Sequence, residues 1–279
     1  MTLGIVREKN TCIWGRKVTA ISDCFISKRD EGRSALIPYV TCGSPSLEES
    51  LDILGLLEDA GGDIIELGIP FSDPLADGPT IQSSSQLALE NGVNVETVLR
   101  ILSDFKRDSN IPVILFSYLH PILQYGLEEF LRGVQQAGAE GILLTDVPEG
   151  SDPSIEGMIL ESEVDFIRLV APTTDYDRIA KISKNGQGFL YYISRTGVTG
   201  ARDLLREELA KEIVAVKRVS EIPVAVGFGI STPDQAAMVG KVADGVVVGS
   251  ALVKILKEEG MEAASCFIRS LREALDLGT

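Results

Sequence analysis

Past Gly32 the sequence repeats one pattern eight times: a short run rich in β-branched residues, then a longer stretch with apolar residues at helical spacing. The short runs cover 35–41, 63–68, 112–117, 141–146, 165–170, 188–194, 223–227 and 244–249. The helical stretches cover 47–60, 95–107, 127–137, 153–161, 177–183, 202–218, 233–239 and 261–277. Strands that alternate with helices are βαβ units, and such strands lie parallel in one sheet. Eight units close into a (β/α)8 TIM barrel, whose usual size of about 250 residues suits a chain of 279. An open doubly wound sheet is the alternative, but its glycine fingerprint is missing. The expected chain is therefore α/β, with one barrel domain over 32–279 and an N-terminal helical extension over 1–31. In that extension Val18, Ile21 and Phe25 form one side of a short helix that plugs the N-terminal end of the barrel. Helix starts carry local signals: Thr232-Pro233-Asp234-Gln235 reads as an N-cap, a first-turn proline and a capping-box glutamine.

A barrel concentrates its chemistry in the loops that follow the C-terminal ends of the strands. The second strand runs straight into a loop with three prolines, Pro70, Pro74 and Pro79. Strand alternation puts Ile64, Glu66 and Gly68 on one face and Ile65 and Leu67 on the other, so Glu66 points into the barrel. A carboxylate there, flanked by apolar residues, has its charged form destabilised and is poised for proton transfer. Asp77, eleven residues on, has two readings: a turn aspartate capping a helix that starts near Thr80, or the second carboxylate of a pair whose different environments separate their roles.

The formal charge of -15 repels nucleic acid, anionic membranes and a phosphorylated substrate alike. A phosphate must then be held by backbone N–H groups and helix ends. Gly227-Phe228-Gly229-Ile230-Ser231 after the seventh strand and Gly249-Ser250-Ala251 after the eighth fit that need, although glycines there are also ordinary turn residues. The run from Tyr191 to Gly200 leads into a loop with glycines flanking Thr199, readable as a hinged lid or as a solvated connection. Cys12, Cys24, Cys42 and Cys266 show no metal-ligand spacing, so no metal is expected and a reducing compartment fits. That compartment is the cytoplasm, or a plastid stroma if a transit peptide has been removed. No apolar stretch reaches the ~20 residues of a membrane-spanning helix.

The run from Glu66 to Pro79, ELGIPFSDPLADGP, resembles the signature of the tryptophan synthase α-subunit family, and Ser194-Arg195-Thr196-Gly197-Val198-Thr199-Gly200 is similar to its sixth-loop motif. With Gly227-Phe228-Gly229-Ile230 and Gly249-Ser250, the similarity covers roughly 33–277; residues before about Lys17 look like an added extension. The resemblance implies a carbon–carbon lyase of L-tryptophan biosynthesis that splits indole-3-glycerol phosphate into indole and glyceraldehyde 3-phosphate. It implies that Glu66 transfers protons, Asp77 accepts the indole N–H, and Tyr191 assists. Thr199 would latch the mobile loop toward Asp77, Gly200, Gly229, Gly249 and Ser250 would cradle phosphate, and Tyr39 and Phe228 would line the pocket. It further implies no cofactor in this chain and a β-subunit partner carrying pyridoxal phosphate, in an α2β2 heterotetramer.

Two positions depart from the family pattern. In Tyr118-Leu119-His120-Pro121, a loop of the partner interface, histidine stands where asparagine is usual; Thr145 stands where a small apolar residue is common and changes pocket polarity. Rival readings are a phosphosugar aldolase, a free-standing lyase, and a barrel that only activates the β subunit. A Schiff-base aldolase needs a lysine inside the barrel and none of the expected strand ends offers one; a metal-dependent aldolase usually wants several histidines, and the chain has one.

Overall fold

The computed structural model describes residues 18–193, 202–227 and 229–277, and over 202–206 the backbone alone. Eight parallel strands pair in sequence order, and the last returns to the first, so the sheet closes. The strands are β1 (Ala35–Thr41), β2 (Ile65–Gly68), β3 (Val113–Ser117), β4 (Gly141–Leu144), β5 (Asp165–Val170), β6 (Leu190–Ile193), β7 (Val224–Gly227) and β8 (Gly245–Val248). Around them run α1 (Ala20–Asp30), α2 (Ser50–Asp59), α3 (Pro79–Glu90), α4 (Val95–Phe105), α5 (Leu119–Tyr125), α6 (Leu127–Ala137), α7 (Pro153–Glu161), α8 (Tyr176–Asn185), α9 (Arg202–Val219), α10 (Pro233–Gly240), α11 (Ser250–Glu258) and α12 (Met261–Leu277). This is the TIM barrel expected from the sequence.

Alternation along each strand divides the apolar residues into two cores. Outward residues such as Ile65, Leu67, Leu115 and Val226 pack under the helices, while Ile37, Ile64, Ile114, Leu143 and Val247 fill the barrel. The inner core is completed by α1. Thr19 caps that helix by accepting from the Ser22 N–H, with Ser22 returning the bond in a capping box. Ile21 and Phe25 are buried with the barrel interior, and the Phe25 ring lies 5.2 Å from that of Phe189. Val18, the third residue expected on that face, is only half-buried. Close approach explains two strand-start glycines: a Cβ at Gly141 would come within 2.8 Å of Ile21, and one at Gly245 within 3.0 Å of Phe25.

The differences from the sequence reading are local. Several strands are shorter at their ends, and α5 and α11 are additional helices. The segment Tyr118–Pro121 is no loop: Tyr118 is the N-cap of α5, and His120 lies in its first turn. Seven residues are too few to show a helical period. The Ala243–Val253 stretch reads as one apolar run because β8 passes directly into α11. At α10 Thr232 caps as expected, but the Gln235 carboxamide accepts from the Ser231 N–H at 2.8 Å rather than closing the capping box.

Candidate active site

Opposite α1, at the C-terminal ends of the strands, a cavity of about 420 Å³ opens, a volume typical of small-molecule sites. Of the residues singled out from sequence, Tyr39 of β1, Glu66 of β2, Asp77, Tyr191 of β6, Gly229, Gly249 and Ser250 all line it. Thr199, Gly200 and Phe228 lie outside the described residues. Residues up to 211 positions apart in the chain thus meet on one surface, because every strand delivers its C-terminal end there.

Glu66 is 1% exposed, and neither of its carboxyl oxygens has a hydrogen-bond partner among the described residues. Burial alone pushes its pKa up to about 8, because nothing nearby replaces the water that would stabilise the anion. Asp77 differs in kind. It is half-buried in the β2–α3 loop, and burial raises it only to about 6, against a hydrogen bond from the Tyr118 phenol that favours its ionised form. The helix-cap reading of Asp77 fails, since Gly78 is the N-cap of α3 and no side chain caps it. The two carboxyls therefore face one cavity with opposite protonation preferences near neutral pH.

Tyr118 organises that loop. Its hydroxyl accepts from the Ala76 N–H at 3.0 Å and interacts with Asp77 and Thr145, while its ring lies 5.2 Å from Phe71. Tyr191 faces the same cavity as Glu66, and burial among acidic groups holds its phenol well above the ordinary range. At the other wall Gly249 is the N-cap of α11 with no side-chain cap, leaving the first-turn N–H groups for an anion. Lys254 also lines the cavity, its Nζ 3.8 Å from Glu258. It is the one cation there among the described residues.

Sequence reasoning missed Phe116, Leu169 and Lys254 as lining residues. The first two were within reach: extending the inward alternation from Ile114 and Ile167 by two positions arrives at them. Lys254 sits four positions after Ser250, which places both on one helix face only once α11 is recognised. Among the described residues no group of three or more His, Cys, Asp or Glu is arranged to hold a metal ion.

The sequence profile of one family, the tryptophan synthase alpha chain, matches residues 25–276. The chain belongs to the tryptophan synthase alpha chain family. The alpha chain of Synechococcus elongatus is 44% identical over 260 residues, covering 93% of this chain and 98% of its own. That of Geobacter sulfurreducens is 41% identical over 263 residues, covering 92% and 99%. Among solved structures, the alpha subunit from Legionella pneumophila superposes with a TM-score of 0.86 at 34% identity over 93% of this chain and 99% of that one. The ligand-free tryptophan synthase of Mycobacterium tuberculosis gives 0.84 at 32% identity, over 93% and 100%. Alpha chains of this family are lyases of tryptophan biosynthesis that need no cofactor of their own, pyridoxal phosphate belonging to the β chain, and the family implies such a β-chain partner. No helix among the described residues is long and apolar enough to cross a membrane.

Proposed function

We propose that this chain performs the family's retro-aldol cleavage of indole-3-glycerol phosphate to indole and glyceraldehyde 3-phosphate, with Glu66 as the proton carrier and Asp77 as the fixed anion. The observation that carries this reading is the buried, unpartnered carboxyl of Glu66 at the cavity wall. In the protonated form it donates a proton to the ring carbon that bears the glycerol chain. The ring N–H, acidified by the charge that develops, is held by ionised Asp77, which stabilises the transition state electrostatically. Glu66, now a carboxylate, takes the proton of the adjacent side-chain hydroxyl. The bond between ring and chain then breaks, its electron pair restores the aromatic ring, and the hydroxyl carbon leaves as an aldehyde. One proton enters and one departs, so Glu66 ends as it began.

The phosphate is cradled by Gly229, Gly249 and Ser250 with the first turn of α11, and Lys254 supplies positive charge within an otherwise acidic chain. The family resemblance assigns Gly200 to the cradle, Phe228 with Tyr39 to the pocket lining, and Thr199 to latching the loop toward Asp77. Tyr191, held neutral, assists beside Glu66. The chain is read as an N-terminal extension, 1–31, and a barrel domain, 32–279, working in the cytoplasm as part of an α2β2 heterotetramer. Exposed apolar residues favour the partnered form over a free-standing lyase: Leu75 of the β2–α3 loop is 93% and Leu123 of α5 48% exposed, and the same two segments meet where the Phe71 ring lies 5.7 Å from His120.

The test is indole release from indole-3-glycerol phosphate by the purified chain and by its Glu66→Gln variant, with and without a tryptophan synthase β chain. Cleavage that rises with the β chain and vanishes in the variant is the expected result. Turnover retained by the variant would sink the mechanism, and vigorous cleavage without a β chain would favour the free-standing lyase.

A further inference from the structure

Tyr39 and Glu66 are register partners on adjacent strands. The phenol of Tyr39 runs up the barrel past Glu66 to Gly68, where any Cβ would collide with its hydroxyl. A buried phenol so close to a buried carboxyl would ordinarily donate to it, since an unpaired polar group in that setting is costly. Yet Glu66 receives no hydrogen bond from any described residue. The Tyr39 hydroxyl instead lies 3.2 Å from the Thr41 Oγ1, which lies 2.7 Å from the Ser84 Oγ, which donates to the Ile81 carbonyl at 2.9 Å.

The direction of this chain follows from its last member. A carbonyl only accepts, so Ser84 spends its single proton on Ile81; Ser84 then accepts from Thr41, and Thr41 accepts from Tyr39. The phenolic proton of Tyr39 is thereby committed away from Glu66. Thr41 and Ser84 are themselves buried, at 3% and 1% exposure, and neither lines the cavity. The other titratable groups that line the cavity with Glu66, among the described residues, are Tyr191 of β6, Asp77 of the β2–α3 loop and, at the rim, Lys254 of α11; none bonds to it.

We propose that Thr41 and Ser84 are positioning residues that hold the hydroxyl of Tyr39 off Glu66, keeping that carboxyl without a donor and therefore protonated when substrate arrives. The inference deepens the reading of Glu66 as proton carrier and rests on it. Its physical content is an oriented row of hydroxyls that preserves the protonated form of a neighbouring group by withholding a bond.

The experiment titrates Glu66 directly, by following its protonated carboxyl band in infrared difference spectra against Glu66→Gln, without substrate. Thr41→Val removes the acceptor of Tyr39 and frees its hydroxyl to turn to Glu66, so the midpoint should fall by about one pH unit. Ser84→Ala, which removes the acceptor of Thr41, should move it in the same direction by less. Thr41→Ser retains the hydroxyl and should keep the parental midpoint. In Tyr39→Phe/Thr41→Val there is no phenol to turn, so its midpoint should equal that of Tyr39→Phe alone. An unchanged midpoint in Thr41→Val, or an equal fall in the Phe-containing pair, overturns the inference. Cleavage by Glu66→Gln is assayed separately, so loss of the proton-carrier reading is distinguishable from loss of the hydroxyl row.

Discussion

Glu66 couples stability to pH through its raised pKa, about 8 against a reference of 4.5. The folded state binds its proton more tightly than the unfolded chain, so the contribution is full below the reference value and is lost as pH rises through about 8. Glu66→Gln cannot ionise, and its stability relative to the parent should increase between roughly pH 4 and pH 9 by on the order of a few kcal/mol, read from urea midpoints at each pH. The catalytic counterpart is a bell-shaped kcat/KM profile, with protonated Glu66 required below about 8 and ionised Asp77 above about 6. Thr145→Val removes a hydroxyl that interacts with Tyr118 and so weakens the support Tyr118 gives to ionised Asp77. The acid limb of the profile should move to higher pH while the alkaline limb stays. At this scale the inward aim of Glu66 was legible from alternation alone. The Tyr39–Thr41–Ser84 row was not, because Thr41 and Ser84 stand 43 positions apart and only the packing of α3 against β1 joins them.

Helix α1 acts as the floor of the barrel. Phe25 is 3% exposed and sits among the inner-core residues of the barrel. Phe25→Ala should cost about 3–5 kcal/mol of unfolding free energy, with turnover per folded molecule little changed, since floor and cavity lie at opposite ends. At the other end, β6 and β7 fit together through a glycine: a Cβ at Gly227 would overlap the Tyr191 hydroxyl. Gly227→Ala should therefore displace Tyr191 and lower kcat at least tenfold while secondary structure by circular dichroism persists. Element types were readable wherever a full helical period or a bounded apolar run existed. Helices α5 and α11 escaped for opposite reasons, one being too short for a period and the other continuous with the strand before it.

Across the whole molecule the net charge of -15 opposes an anionic substrate, whereas the cavity offers helix N–H groups and Lys254. These act over different distances. Raising monovalent salt from roughly 10 mM to roughly 150 mM shortens the screening length from about 30 Å to about 8 Å. Long-range repulsion is then suppressed more than the close contacts of the cradle. We expect kcat/KM for the phosphorylated substrate to rise over that interval; a fall would show that Lys254 and the helix end govern capture as well as retention.

By itself the sequence determined the barrel, because eight buried strands alternating with eight amphipathic helices have few other ways to cover both faces of a parallel sheet. It also determined which carboxylate points inward, because side-chain direction in a strand has a period of two. Tertiary structure alone decided that Glu66 has no hydrogen-bond partner among the described residues, that Tyr118 acts on Asp77, and that Lys254 reaches the cavity. Hydrogen bonding and desolvation depend on distances between atoms of different elements. Those distances exist only after the sheet has closed.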